Sequence, residues 1–79
     1  AGDKSKIFQA FGKVIEEHRI ERNLSQAELA ELGDFNRTYI SDLERGLKQA
    51  SLSTIFRLAY AFDITPSKLI EDLEKKIEL

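Results

Sequence analysis

The chain contains no cysteine, methionine or tryptophan, one proline and one histidine. Without cysteine there is no disulfide to staple the fold and no thiolate to hold a metal, and a reducing cytoplasm suits such a chain. A lone histidine cannot share a zinc ion with a second soft ligand. Long apolar runs are missing as well. No stretch approaches the roughly 18 residues that suggest a membrane span, and no charged-then-apolar leader marks secretion. There is no glycine loop to cradle phosphate and no recognisable nucleophile, so enzymatic function ranks last and no cofactor is expected. The opening Ala1-Gly2-Asp3 lacks an initiator methionine and reads as a processed end or a cloning remnant.

A chain of 79 residues is expected to form one domain, near the lower limit for burying an adequate core alone. Help from a partner is therefore expected. Hydrophobic residues make up 42% and charged residues 33%, the balance of a globular rather than a disordered chain. A net charge of −2 argues against indiscriminate nucleic-acid binding, which draws on a large basic excess. The charge is unevenly spread, however. Between Arg37 and Lys48 three basic residues face two acidic ones, whereas from Glu71 to Leu79 four acidic residues face two basic ones.

Apolar spacing divides the chain into five helices. Ile7, Phe8, Phe11, Val14, Ile15 and His18 recur at steps of three and four, which predicts a helix over about 5–22 ending at Asn23. Ser25-Gln26-Ala27-Glu28 is a capping box that opens a helix over 26–33, closed by Gly33-Asp34. Asn36 caps a third helix over 37–45 carrying Ile40 and Leu43, with Gly46 as its terminator. Ser51 caps a fourth over 52–62 whose apolar face is Leu52, Ile55, Phe56, Ala59 and Phe62. Thr65-Pro66 starts the fifth over 66–77, with proline at the first helical position, where its missing N–H is not needed. That last helix carries Leu69, Ile70, Leu73 and Ile77. The fold class is all-α, a compact five-helix bundle.

The second and third helices, joined by a short turn, have the form of a helix-turn-helix unit. An αα-corner in a small bundle would look the same from spacing alone. What tips the balance is the third helix, where Arg37, Thr38, Ser41 and Asp42 lie opposite Ile40 and Leu43. A helix whose N-terminal end enters the DNA major groove needs polar residues there, facing outward.

The string "LSQAELA…NRTYISDLERG" followed by "SLSTIFRLAYAFDI" resembles the phage repressor and Cro-type helix-turn-helix family, also called the XRE family, over about residues 11–70. Its ordered set here is Gly12, Ile15, Arg19, Leu24, Ser25, Gln26, Leu29, Ala30, Ile40, Leu43, Glu44, Gly46, Leu52 and Ala59. Within the family, "RTYIS" resembles the small controller proteins of restriction-modification systems. The resemblance implies a homodimeric transcription regulator that binds a pseudo-palindromic double-stranded DNA operator sequence-specifically. It would act in a bacterial or phage-infected cytoplasm, associated with the nucleoid, with RNA polymerase as a further partner. An antitoxin-type module that neutralises a partner protein is the alternative, which the acidic tail keeps open.

The resemblance also suggests roles. Gln26 matches a glutamine that meets the DNA backbone. Arg37 has the donor fork suited to guanine O6 and N7, and Thr38 can offer its hydroxyl to phosphate or its methyl to thymine. Tyr39 either reaches a phosphate through its hydroxyl or serves the core alone. Asn36 and Ser41 complete the DNA-facing set. Asp42 can accept from a cytosine amino group or act against wrong sequences. Arg45 and Lys48, flanking Gly46, suit phosphate contacts, with Gln49 assisting. Arg19 and Glu44 match an ion pair that orients one helix on another, a scaffold role. Phe56, Tyr60, Leu69, Ile70 and Leu73 offer more apolar surface than one small bundle hides and are assigned to a two-fold interface. The chain departs from the family in placing its turn glycine at Gly33 rather than at Asp34. It also has His18, read as structural, where a large aliphatic residue is usual.

Overall fold

The computed structural model of the chain describes residues 4–77; Ala1-Gly2-Asp3 lie outside the described residues. Five helices follow one another: α1 (Lys4–Glu21), α2 (Gln26–Gly33), α3 (Arg37–Glu44), α4 (Leu52–Phe62) and α5 (Pro66–Ile77). Among the described residues there is no strand, and no helix is long and apolar enough to cross a membrane.

Local side-chain chemistry sets most of the boundaries. The Ser25 hydroxyl accepts from the Glu28 amide at 3.0 Å, and the Ser25 amide donates back to the Glu28 carboxylate at 2.8 Å, completing the capping box of α2. Asn36 accepts from the Tyr39 amide at 2.7 Å, Ser51 from Thr54 at 3.1 Å and Thr65 from Lys68 at 3.1 Å. Each such cap satisfies an orphan donor and is worth about 1 kcal/mol. At the opposite ends, Asn23, Asp34 and Asp63 adopt left-handed φ angles of 56°, 60° and 58°. Asparagine and aspartate tolerate that region better than other residues with a Cβ. Asp34 thus turns the chain where the family usually has glycine. Gly33 has a different use: a Cβ there would lie 2.5 Å from the Phe35 ring, which folds back over the helix end.

The core draws on every helix: Phe11, Val14 and Ile15 of α1, Leu29 and Ala30 of α2, Ile40 and Leu43 of α3, Leu58, Ala59 and Phe62 of α4, and Leu69 of α5. Two expectations need correction. Leu52 and Phe56 do not belong to the buried face of α4; that face is Thr54, Leu58, Ala59 and Phe62. Leu52, Phe56 and Tyr60, spaced by four, form a second stripe rotated toward solvent. Leu69 is 0% exposed, so it is a core residue and not a surface anchor for a partner. Leu73 is half-buried and packs on the core, whereas Ile70 remains exposed.

α5 is held to α1 by polar contacts centred on His18. Arg22 has only donors, so its Nη1 donates to His18 Nδ1 at 3.0 Å and His18 Nε2 donates to Asp72 at 2.7 Å. The imidazole stacks on Phe62 with centroids 5.2 Å apart. Burial raises the Asp72 pKa, but hydrogen bonds from Lys68 and His18 outweigh it and leave the group below its ordinary value. His18 is therefore part of the scaffold.

Gly12 lets α1 approach the end of α3. A Cβ there would lie 2.5 Å from the carbonyl oxygens of both Leu43 and Glu44. Backbone cannot swing aside as a side-chain tip can. Gly12→Ala should gain up to about 1 kcal/mol of helix propensity yet lose about 2 kcal/mol net, because overpacking against rigid groups costs up to about 3 kcal/mol. A thermal melt reads this directly, and an alanine variant as stable as the parent would refute the close approach.

Candidate nucleic-acid interface

α3 is short, and two of its residues, Ile40 and Leu43, are buried against the core. Burying that side turns the N-terminal polar residues outward. Arg37 and Thr38 are exposed, Tyr39, Ser41 and Asp42 are half-buried, and Arg45 and Lys48 beyond the helix end are exposed. Arg37, Arg45 and Lys48 enter no salt bridge among the described residues, so their charge is available to an anionic partner. Asn36 is exposed but its side-chain oxygen serves as the cap.

Behind this face stands a part-buried clamp. Arg19 Nε donates to Glu44 Oε2 at 2.7 Å and its Nη2 to Oε1 at 3.0 Å, a bidentate pair. The two side chains are 14% and 4% exposed. Arg19 also donates to the Leu24 carbonyl at 3.0 Å, which ties in the segment before α2. The Glu44 hydrogen bond outweighs the effect of burial and holds the Arg19 guanidinium above its already high ordinary pKa. Gln26, at the first position of α2, donates to Glu44 Oε1 at 3.1 Å. One carboxylate therefore joins α1, α2 and α3, and its charge is neutralised behind the face instead of repelling phosphate.

Tyr39 does two things at once. Its ring packs on the core beside Phe35, with centroids 5.7 Å apart. Its hydroxyl lies 3.1 Å from the Thr54 hydroxyl at the start of α4. A phenol has one donor and two acceptor positions, so this bond leaves capacity for another group.

Gly46 presses the loop after α3 onto α1. Its φ is +75°, and a Cβ would lie 2.9 Å from the Gln9 side chain and 3.1 Å from the Gln9 Cα. Arg45 and Lys48 are thereby held on either side of a fixed point. Of the residues assigned to a partner surface, Phe56 and Tyr60 are 61% and 81% exposed. With Leu32 and Ile70 they add to the exposed apolar surface, and Leu32, Phe56 and Tyr60 share the rim of one shallow hollow.

Sequence reasoning missed Arg57, Phe35, Thr54 and Leu58. Arg57 could have been noticed as the only cation inside the apolar run "IFRLAYAF". It donates to the carbonyls of Gly33 and Asp34 and lies over the Phe35 ring, closing the end of α2. Arg22 treats α4 similarly, donating to the Phe62 carbonyl at 2.9 Å.

Two short helices in this arrangement, the second presenting a polar N-terminal turn over a neutralised clamp, define a helix-turn-helix protein. The chain belongs to the helix-turn-helix family, whose model matches residues 15–69, and to its XRE-type branch. It is 39% identical over 68 residues to the control protein C.BamHI of Bacillus amyloliquefaciens, covering 85% of this chain and 84% of that one. It is 36% identical over 67 residues to the control protein C.MunI of a Mycoplasma species, covering 84% and 90%. Among solved structures, the restriction-modification controller protein C.AhdI from Aeromonas hydrophila superposes with a TM-score of 0.76 at 40% identity, covering 78% of this chain and 94% of that one.

Proposed function

We propose that the chain is a homodimeric transcription regulator that binds a pseudo-palindromic DNA operator, in the manner of a restriction-modification controller. The observation that carries this is the first turn of α3: Arg37 and Thr38 stand free at its N-terminal end while Arg19, Gln26 and Glu44 fix the helix from behind. Similarity to several named control proteins supports the same reading.

In this reading α3 lies in the major groove. Arg37 meets a guanine edge, Thr38 a phosphate or a thymine methyl, and Ser41 the next position along the groove. Tyr39 offers its remaining hydroxyl capacity to a phosphate. Arg45 and Lys48 neutralise phosphates, which gives affinity and salt dependence but no sequence information. Asn36 and Gln26 contribute from helix N-termini beside the backbone, Gln26 while still bound to Glu44. The apolar patch of Phe56, Tyr60 and Ile70 forms the two-fold contact, and the regulator meets RNA polymerase at its promoter.

Arg37→Ala should relax base preference at one symmetric position per half-site and weaken binding by about 1–3 kcal/mol for each bidentate arginine–guanine pair removed. Lys48→Ala should instead weaken binding to every sequence and make the salt slope shallower by about one unit. Titration of both variants across operator variants at several salt concentrations separates the two roles. Unchanged preference with Arg37→Ala would remove that residue from the reading set.

A further inference from the structure

The proposed function needs two surfaces at a fixed offset: the groove-facing end of α3 and the apolar patch on α4. α3 packs mainly on α1 and α2, whereas α4 packs on α2, α5 and α1. α1 and α2 therefore both join the two, and the α2 side runs through the turn that follows it. Arg57 spans that junction. From α4 its Nε donates to the Gly33 carbonyl at 3.1 Å, and its Nη2 donates to the Asp34 carbonyl. Carbonyls at a helix end lack intrahelical donors and carry partial negative charge, so a guanidinium suits them in both hydrogen bonding and electrostatics.

The chain of interactions does not stop at the turn. The Arg57 guanidinium lies 4.1 Å from the centroid of the Phe35 ring. Phe35 packs on Tyr39 in the first turn of α3, and the Tyr39 hydroxyl returns to Thr54 on α4. Arg57, Phe35, Tyr39 and Thr54 thus close a loop from α4 through the turn to the recognition helix and back. At its other edge Arg57 lines the same hollow as Leu32, Phe56 and Tyr60, at the margin of the apolar patch.

We propose that Arg57 is a positioning residue that fixes the half-site spacing the dimer accepts, an inference that rests on the two-fold reading of the α4 patch. In a dimer built on α4, the separation and relative rotation of the two recognition helices follow from the offset between α4 and α3, applied once in each protomer. A rigid offset permits one spacing. A loose offset tolerates several. Arginine suits this task because its planar fork can bond two carbonyls while its face stacks on a ring, whereas lysine brings only a point charge.

The test uses an operator recovered from random DNA by binding selection, together with versions that have one base pair inserted or deleted between the half-sites. That change moves one half-site by about 3.4 Å and rotates it by about 34°. The parent should bind the altered operators about tenfold or more weaker than the matched one. For Arg57→Lys and Arg57→Ala, confirmed as folded by circular dichroism and dimeric by sedimentation, the ratio should shrink to about threefold or less. Losing folded protein weakens binding to all three operators alike and leaves the ratio intact, whereas dissociation to monomers would itself abolish the spacing dependence, so only variants that sediment as dimers at the concentrations used for binding are compared. Folded, dimeric variants with the parental ratio would overturn the proposal. A parent indifferent to spacing would overturn the two-fold reading and this inference together.

Discussion

Glu44→Ala should lower the melting temperature by about 8–24 °C, since one partner of an ion pair left alone costs about 3–5 kcal/mol when fully buried, about 2–3 kcal/mol for this part-buried pair, and each kcal/mol shifts a domain of this size by about 4–8 °C. The effect reaches three helices. Arg19 keeps its bond to the Leu24 carbonyl but is deprived of both carboxylate oxygens, and Gln26 of its acceptor. A domain of this length has only about 4–12 kcal/mol of total stability, so much of the reserve disappears. Base preference in the remaining folded fraction should hardly change, because the Glu44 carboxylate is held by Arg19 and Gln26, away from the exposed first turn of α3. A double-mutant cycle with Arg19→Met should show coupling of about 1–3 kcal/mol. An unchanged melting temperature beside altered base selection would contradict the scaffold role and move Glu44 to the DNA.

Phe56→Glu should dissociate the dimer and weaken operator binding by about 100-fold or more, because affinities of about 10⁻⁸ to 10⁻¹¹ M require two linked half-sites. Phe56 is 61% exposed on the single chain, so its replacement removes little from the protomer's own core. On a two-fold interface the new carboxylate is desolvated among apolar side chains, in both protomers at once. Sedimentation should find a monomer and circular dichroism a helical one. A folded dimer that binds its operator normally would place the two-fold contact on another face.

Much of this architecture was legible because it is local. Ser25, Asn36, Ser51 and Thr65 cap within three residues of themselves, so their chemistry is written in consecutive letters. Asp34 was also legible as a turn residue, although the reason for Gly33 was not: the Phe35 ring occupies the space a Cβ would need, and nothing in sequence order says that the ring folds back. Helix faces were read less well. α4 is apolar around most of its circumference, so periodicity offered both the Leu52-Phe56-Tyr60 stripe and the buried stripe without ranking them. Leu58 was overlooked for that reason, and on α5 the adjacent Leu69 and Ile70 could not be told apart as inward and outward from sequence order. Assignment of an apolar residue to core or partner is decided by where neighbouring helices pack, which is tertiary information.

Among the residues assigned to DNA, those whose placement depends on one helix end were the easiest to locate. Arg37 and Thr38 stand exposed in the first turn of α3, as a groove-facing role requires. Gln26 and Tyr39 proved harder, because each has a second partner inside the protein, Glu44 and Thr54 respectively. The Arg19–Glu44 pair came from family resemblance and was found with bidentate geometry. Arg57 had no such guide, and its two carbonyl partners lie 23 and 24 residues away in the chain.

Selection of bound sequences from random double-stranded DNA, carried out with the purified chain at two salt concentrations, reads out both two-fold assembly and sequence-specific DNA binding. A two-fold regulator should enrich an inverted repeat whose half-site centres lie about one helical turn, 10–10.5 base pairs, or a multiple of it apart. Affinity for that repeat should fall steeply with salt while its sequence stays the same. No enriched motif, or a single asymmetric site bound as tightly as any repeat, would contradict the proposed function.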